Sequence, residues 1–213
     1  MTKHSIYGLL DLSGSMQGRI AETVQAFNTF VREAGKSRVS LYGFNNNKQM
    51  RDRRQPDGLG VLLTELAPPK TKGGEKWPGL DEAVSCGGMT PLYDAMIDFR
   101  EAIVPLEGDR HTVVFLTDGD ENASTRHGRA EAADFVKSLR DRGANVVFIG
   151  ADFDAFAQAA SFGVKKDDVL NMAAGSYVAG ASALASRTQN YAATGVARGF
   201  TDEERAAAAG KKA

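Results

Sequence analysis

Apolar runs that break off at an acidic or glycine residue, two of them running on into a helical pattern, constrain this chain most. Ile6-Tyr7-Gly8-Leu9-Leu10 ends at Asp11, and His111-Thr112-Val113-Val114-Phe115-Leu116-Thr117 ends at Asp118. Asn145-Val146-Val147-Phe148-Ile149 ends at Gly150. Short runs this apolar suit strands covered on both faces, as in a parallel sheet. Behind the first run, Val24, Phe27, Phe30 and Val31 recur at helical spacing within Met16 to Ala34, and Gly35 closes the stretch. Behind the second, Arg126 to Arg142 places Ala132, Phe135, Val136 and Leu139 on one helical face. The order strand, helix, strand predicts an α/β fold built on a doubly wound, mostly parallel sheet with helices on both faces.

Val39 to Phe44 alternates large and small residues as a strand does, and Asn45-Asn46-Asn47 makes a turn into a polar arm, Lys48 to Gln55. The expectation is a hairpin whose second strand lies on the sheet edge. A short apolar segment follows from Gly58 to Glu65, then a long loop from Ala67 to Gly79 that carries Trp77, either an exposed contact or the plug that holds the loop down. Val164 to Met172 supplies a last short strand, and Ser176 to Ala193 a helix packed on the sheet. Thr201-Asp202-Glu203-Glu204 reads as a capping box that starts a short helix. A chain of 213 residues, 42% of them hydrophobic, has enough apolar side chain for one sizeable core. The expected division is residues 1–175 as the sheet domain and 176–213 as a C-terminal helical extension packed on the same domain, with a frayed tail.

The formal net charge of -1 gives no bulk attraction to nucleic acid. The dense basic cluster Arg51, Arg53 and Arg54 could touch a phosphate backbone, but it reads more simply as charge guarding an exposed sheet edge. The single cysteine, Cys86, excludes an intramolecular disulfide, reads as a small packed residue, and fits a cytoplasmic, reducing setting. No apolar run is long enough to cross a bilayer, and the N-terminus lacks the pattern of a signal peptide. Nothing in the sequence sets an oligomeric state.

Candidate chemistry gathers where the apolar runs end. Asp11-Leu12-Ser13-Gly14-Ser15 offers a carboxylate and two hydroxyls on alternate residues between a strand and a helix. Oxygen donors without nearby nitrogen or sulfur suit a hard cation. Gly87-Gly88-Met89-Thr90-Pro91 leads into a helical pattern through Leu92, Met96, Phe99 and Ile103, which puts Thr90 at a helix N-cap; capping alone would account for its hydroxyl. Asp118 falls past the carboxyl end of a central strand, the edge where open α/β sheets bind ligands. Asp120 and Glu121 could add negative field at the rim, or simply be solvated loop residues. Asp152 and Asp154 follow a further strand, and Asp154 reads as a helix cap rather than a ligand.

Asp11-x-Ser13-x-Ser15, Thr90 within Gly-Met-Thr-Pro-Leu, and Asp118 within Leu-Thr-Asp-Gly resemble, together and in order, the metal-ion-dependent adhesion site of von Willebrand factor type A domains. The resemblance covers about Ser5 to Met172. It implies a Rossmann-like fold with one antiparallel edge strand and a divalent cation at the carboxyl edge of the sheet. Carried over residue by residue, the metal set is Asp11, Ser13, Ser15, Thr90 and Asp118, with the hydroxyls on the ion and the aspartates binding it directly or through water. Mg2+ is the expected ion, with Mn2+ or Ca2+ as substitutes. The implied activity is binding, in which a partner protein supplies an Asp or Glu to the ion, within a larger bacterial or phage assembly. The rival is a Mg2+-dependent phosphoryl-transfer hydrolase with Asp11 as nucleophile. Its pattern wants a second acid two residues after the first, and that position is Ser13; no phosphate-binding glycine loop is present either.

Overall fold

The computed structural model describes residues 3–35, 37–46, 60–66, 86–103, 109–151 and 155–211. The strands are β1 (His4–Asp11), β2 (Arg38–Phe44), β3 (Gly60–Leu66), β4 (Arg110–Thr117), β5 (Asn145–Ala151) and β6 (Val169–Met172). They form a six-stranded sheet in the order β3-β2-β1-β4-β5-β6. Every neighbouring pair is parallel except β2 with β3, so the sheet is the expected Rossmann-like arrangement with one antiparallel edge. The edge strand lies later in the chain than the expected hairpin arm. It is the apolar segment after Gly58, whose Val61-Leu62-Leu63 favours a sheet more than charged residues do. Lys48 to Gln55, with the arginine cluster, lies outside the described residues, as do Trp77, Asp152 and Asp154.

The helices are α1 (Ile20–Glu33), α2 (Leu92–Ala102), α3 (Arg129–Asp141), α4 (Ala155–Ser161), α5 (Tyr177–Thr194) and α6 (Asp202–Ala208). Strand alternation divides the core between the two faces of the sheet. Ile6, Leu10, Val114 and Ile149 point one way and pack with Phe30 of α1, Leu184 of α5 and Ala208 of α6. Leu9, Val113, Phe115 and Phe148 point the other way and pack with Met96 of α2, Phe135 of α3 and Ala159 of α4. Phe115 meets Phe99 and Phe135 edge-on, at 6.1 and 6.5 Å between ring centres. Each phenylalanine buried in this way contributes about 2–3 kcal/mol.

Two helix boundaries differ from the sequence expectation. Gly14–Gly18 forms a 3-10 turn, so α1 starts at Ile20 rather than Met16. The third helix starts at Arg129 rather than Arg126. The amides of Thr125, Arg126 and His127 are all taken by the buried carboxylate of Asp94, at 3.0, 3.0 and 2.8 Å, which holds that segment as a loop. The capping box at Thr201 is present, with Glu204 N donating to Thr201 Oγ1 and Thr201 N to Glu204 Oε2.

Close approach of α5 to β6 depends on Gly180. A Cβ there would lie 2.7 Å from Met172 Cε and 2.8 Å from Cγ, so Met172 would have to leave its position. Gly180→Ala gains helix propensity, yet the overpacking outweighs it; the expected net loss is about 1–2 kcal/mol in urea denaturation. A variant as stable as the parent would show that Met172 repacks freely.

Candidate metal centre

The strand order reverses at β1. The chain runs from β1 to β2 on one side of it, and β4, β5 and β6 build outward on the other. In open α/β sheets the crevice at such a reversal, beyond the carboxyl ends of the strands, is the ligand site. Asp11 is the last residue of β1, and Asp118 follows the last residue of β4, its parallel neighbour. Topology alone therefore brings these two carboxylates to one crevice.

Hydrogen bonds then fix the groups around them. Asp11 is fully buried, and its Oδ1 accepts from Ser13 N at 2.8 Å while Oδ2 accepts from Thr117 Oγ1 at 2.7 Å. Ser13 and Ser15 hydroxyl oxygens lie 3.0 Å apart, and Ser15 Oγ donates to Asp118 Oδ1 at 2.7 Å. Arg19 Nη1 donates to Asp118 Oδ2 and to the Ser15 carbonyl, both at 2.9 Å. Asp11, Ser13, Ser15 and Asp118 thus belong to one bonded cluster. Burial pushes the Asp11 carboxyl above the usual carboxylate range, against the bonds from Thr117 and Ser13, and the nearby Asp118 pushes the same way.

Thr90 arrives on a loop docked against the first motif. Gly87 N donates to the Leu12 carbonyl and Gly14 N to the Gly88 carbonyl, each at 2.9 Å. Thr90 is buried at 3% exposure; its N–H donates to Asn122 Oδ1 at 2.9 Å, and Asn122 N–H returns to the Thr90 carbonyl at 3.1 Å. The N-cap of α2 is Pro91, with no side-chain cap bond, so helix capping does not account for the Thr90 hydroxyl. Ser15, Met89 and Asp120 are exposed, whereas Asp11, Ser13, Thr90 and Asp118 are buried.

Several supporting residues escaped the sequence reading. Glu121 is not a solvated loop residue: its Oε1 accepts from Ala123 N and Ser124 N, and its Oε2 from Tyr93 N at the start of α2. Asp120 is exposed, as expected of a loop. Asn45 Nδ2 binds the Leu12 carbonyl and Asn46 Oδ1 the Met89 amide, tying the end of β2 to both motifs. Arg19 stands four residues after Ser15, one helical turn on, and that spacing was its available signal. Cys86 is half-buried; desolvation, then Asp11 and Asp118, push its thiol up to about 11, which suits a packed residue rather than a nucleophile.

The donors fit a hard cation by their chemistry. Carboxylate and hydroxyl oxygens dominate, and among the described residues no three His, Cys, Asp or Glu side chains form a softer or more acidic cluster. Arg19 already brings a positive charge onto Asp118, which offsets part of the negative charge of the two carboxylates. Among the described residues no helix is long and apolar enough to cross a membrane.

No protein-family model matches the sequence, and no curated protein matches it. Solved structures do match the fold. Proximal thread matrix protein 1 from the mussel byssus superposes with a TM-score of 0.60 at 20% identity, over 90% of this chain and 48% of that one. The chain therefore spans about half the length of that protein, another structure of which is described with a zinc-occupied MIDAS motif. Manganese-loaded TRAP protein of Plasmodium vivax matches with a TM-score of 0.55 at 15% identity, over 88% of this chain and 73% of that one. A von Willebrand factor type A protein from Catenulispora acidiphila matches with a TM-score of 0.52 at 12% identity, over 88% and 43%. The architecture of this chain is that of the von Willebrand factor type A fold.

Proposed function

We propose that this chain is a metal-dependent protein-binding module, in which Asp11, Ser13, Ser15, Thr90 and Asp118 hold a divalent cation that a partner's Asp or Glu completes. The observation that carries the reading is the bonded cluster of Asp11, Ser13, Ser15 and Asp118 at the topological reversal of the sheet. When bound, the ion supplies an electrophilic coordination position for an acidic side chain. The protein supplies the rest. Asp11 and Asp118 contribute the negative charge, the serine and threonine hydroxyls contribute neutral oxygens, and the exposed rim leaves the partner a path in. With few anionic donors, the ion keeps its attraction for an incoming carboxylate.

Mg2+ is the first ion to test, and Mn2+ is its spectroscopic substitute. The neighbouring folds with zinc and manganese support a divalent ion in general. A reducing, cytoplasmic setting is part of the proposal and rests on Cys86 alone. The hydrolase alternative gains nothing from the geometry. Asp11 is fully buried and both its oxygens already accept hydrogen bonds, which is poor presentation for a nucleophile.

The test is affinity capture by the intact chain, with Mg2+ and with EDTA, beside Asp11→Ala. Partner recovery is expected to fall at least about a hundredfold in either control, as removal of a ligand or its close support does for metal sites. Equal recovery of a purified partner under all three conditions would reject the bridging ion. Phosphatase turnover abolished by Asp11→Asn would replace the binding reading with the enzymatic one.

A further inference from the structure

Both carboxylate oxygens of Asp118 accept hydrogen bonds from side chains of the chain itself. Ser15 Oγ donates to Oδ1 at 2.7 Å, and Arg19 Nη1 donates to Oδ2 at 2.9 Å. The Asp118 side chain is fully buried and that of Arg19 is 32% exposed, so the guanidinium spans from floor to rim. Its base is fixed as well. Arg19 N donates to the Met16 carbonyl, and the Arg19 carbonyl accepts from both Thr23 N and Thr23 Oγ1, each at 2.9 Å. The same Nη1 binds the Ser15 carbonyl, so the side chain is anchored to the motif it serves.

The electrostatic consequence follows from the charges. Asp11 and Asp118 offer two negatives, and Arg19 cancels one of them. A divalent cation entering this centre meets a formal charge of one negative rather than two, and so a weaker attraction than the carboxylates alone would exert, in a partly buried setting. Once the ion is seated, the formal sum is positive rather than zero. A positive rim favours an anionic side chain and disfavours a neutral or basic one.

We propose that Arg19 is the built-in counter-ion of this centre, a positioning residue that holds Asp118 as an outer carboxylate, weakens the grip of the empty site on divalent cations, and leaves the ion-loaded site positive toward an acidic partner. The proposal rests on the metal-binding reading above and adds to it a residue outside the five-residue set.

The experiment is calorimetric titration of the full chain with Mn2+, cross-checked by electron paramagnetic resonance of free Mn2+. Wild type is compared with Arg19→Gln, Arg19→Met and Arg19→Lys. The neutral variants are expected to bind Mn2+ about tenfold more tightly, and Arg19→Lys to stay within about twofold of wild type, because the effect is one of charge. The gain should shrink as salt rises. In EDTA the neutral variants should melt at lower temperature than wild type, since Asp118 loses its resident partner; damage to the fold could lower the melting temperature but would not tighten Mn2+ binding. Neutral variants that bind Mn2+ equally or more weakly overturn the role of Arg19 while leaving the metal centre standing. A wild-type chain that takes up no Mn2+ overturns the metal centre itself.

Discussion

Replacing Arg187 by alanine is expected to lower the unfolding free energy by about 3–5 kcal/mol, the usual cost of breaking a buried ion pair from one side. Arg187 sits on α5 with no exposed surface. Its Nε and Nη2 both donate to Asn145 Oδ1, at 3.0 and 2.8 Å, and Nη1 donates to the Asp167 carbonyl. Nη2 also meets Asp168 Oδ1 at 2.6 Å, and the guanidinium lies 4.8 Å from the Phe200 ring centre. One side chain thus ties α5 to the start of β5, the turn before β6, and the segment that leads into α6. Alanine leaves the amide oxygen of Asn145 buried without these donors and, among the described residues, Asp168 with the more distant Arg140 as its remaining ion-pair partner, at 3.6 Å. Lysine keeps the charge but cannot reproduce the planar fork, so Arg187→Lys should recover only part of the loss. Urea denaturation decides the matter; an alanine variant within about 1 kcal/mol of the parent would mean that α5 is held by apolar contacts alone.

The contrast between Arg187 and Asp11 shows what the sequence could disclose. Asp11, Ser13 and Ser15 stand out as candidate ligands because a metal site needs oxygen at fixed spacing, and the spacing is local. Thr90 and Asp118 are legible because each lies where a strand or helix pattern changes, which places it at one edge of a parallel sheet. The sheet itself was readable from Ile6 to Leu10, Val113 to Leu116 and Val146 to Ile149, whose apolar character on alternating positions requires cover on both faces. Arg187 carried no such mark. It lies in an Ala- and Ser-rich helix, and its partners stand 42 residues away at Asn145 and 19 residues away at Asp168. Asp94 was hidden for the same reason, since its carboxylate serves amides about thirty residues on and so displaces the start of α3 to Arg129. Edge-strand placement failed differently. A turn signal at Asn45-Asn46-Asn47 invites a tight hairpin, whereas the sheet takes its partner from the first apolar segment available, Gly60–Leu66.

Long-range contacts also hold the hydroxyl-bearing segments of the proposed metal centre in order. Ser15 is exposed, yet Asp118, Ser13 and Arg19 restrain it. The Thr90 loop is held on one side by Leu12 and Gly14, through Gly87 and Gly88, and on the other by Asn122. Asn122 belongs to the loop that Glu121 and Asp94 fold upon themselves. A binding site whose atoms are fixed before the ligand arrives loses less entropy on binding. Asp94 and Glu121 hold loop geometry, whereas Asp11 and Asp118 are the proposed source of charge for the ion.

Stability should fall by about 3 kcal/mol as pH drops from about 7 to about 4, and His4 should be the cause of that part of the loss. His4 opens β1 at the end of the strand opposite Asp11, buried at 7% exposure. Its Nδ1 lies 2.7 Å from Ser37 Oγ and its Nε2 3.0 Å from Thr112 Oγ1, while the Tyr191 ring of α5 stands edge-on at 5.8 Å. Burial, then the neighbouring His111 and Arg110, lower its pKa from 6.5 to about 4. The unfolded chain therefore takes up a proton near pH 6.5 that the folded chain refuses until near pH 4. Between those values the unfolded state is favoured increasingly as pH falls; below about 4 both states are protonated and His4 adds no further loss. Glu204, held below the usual carboxylate range chiefly by its bond from Arg198, loses its own contribution only at lower pH, so the two effects separate along the axis. Denaturation curves at several pH values should show the slope in the wild type and its flattening in His4→Gln. An equal slope in both proteins would move the titration elsewhere. Because His4 and Asp11 occupy opposite ends of the same strand, His4→Gln should leave the Mn2+ affinity of the folded protein unchanged, and a shift in that affinity would mean that β1 transmits strain from one edge of the sheet to the other.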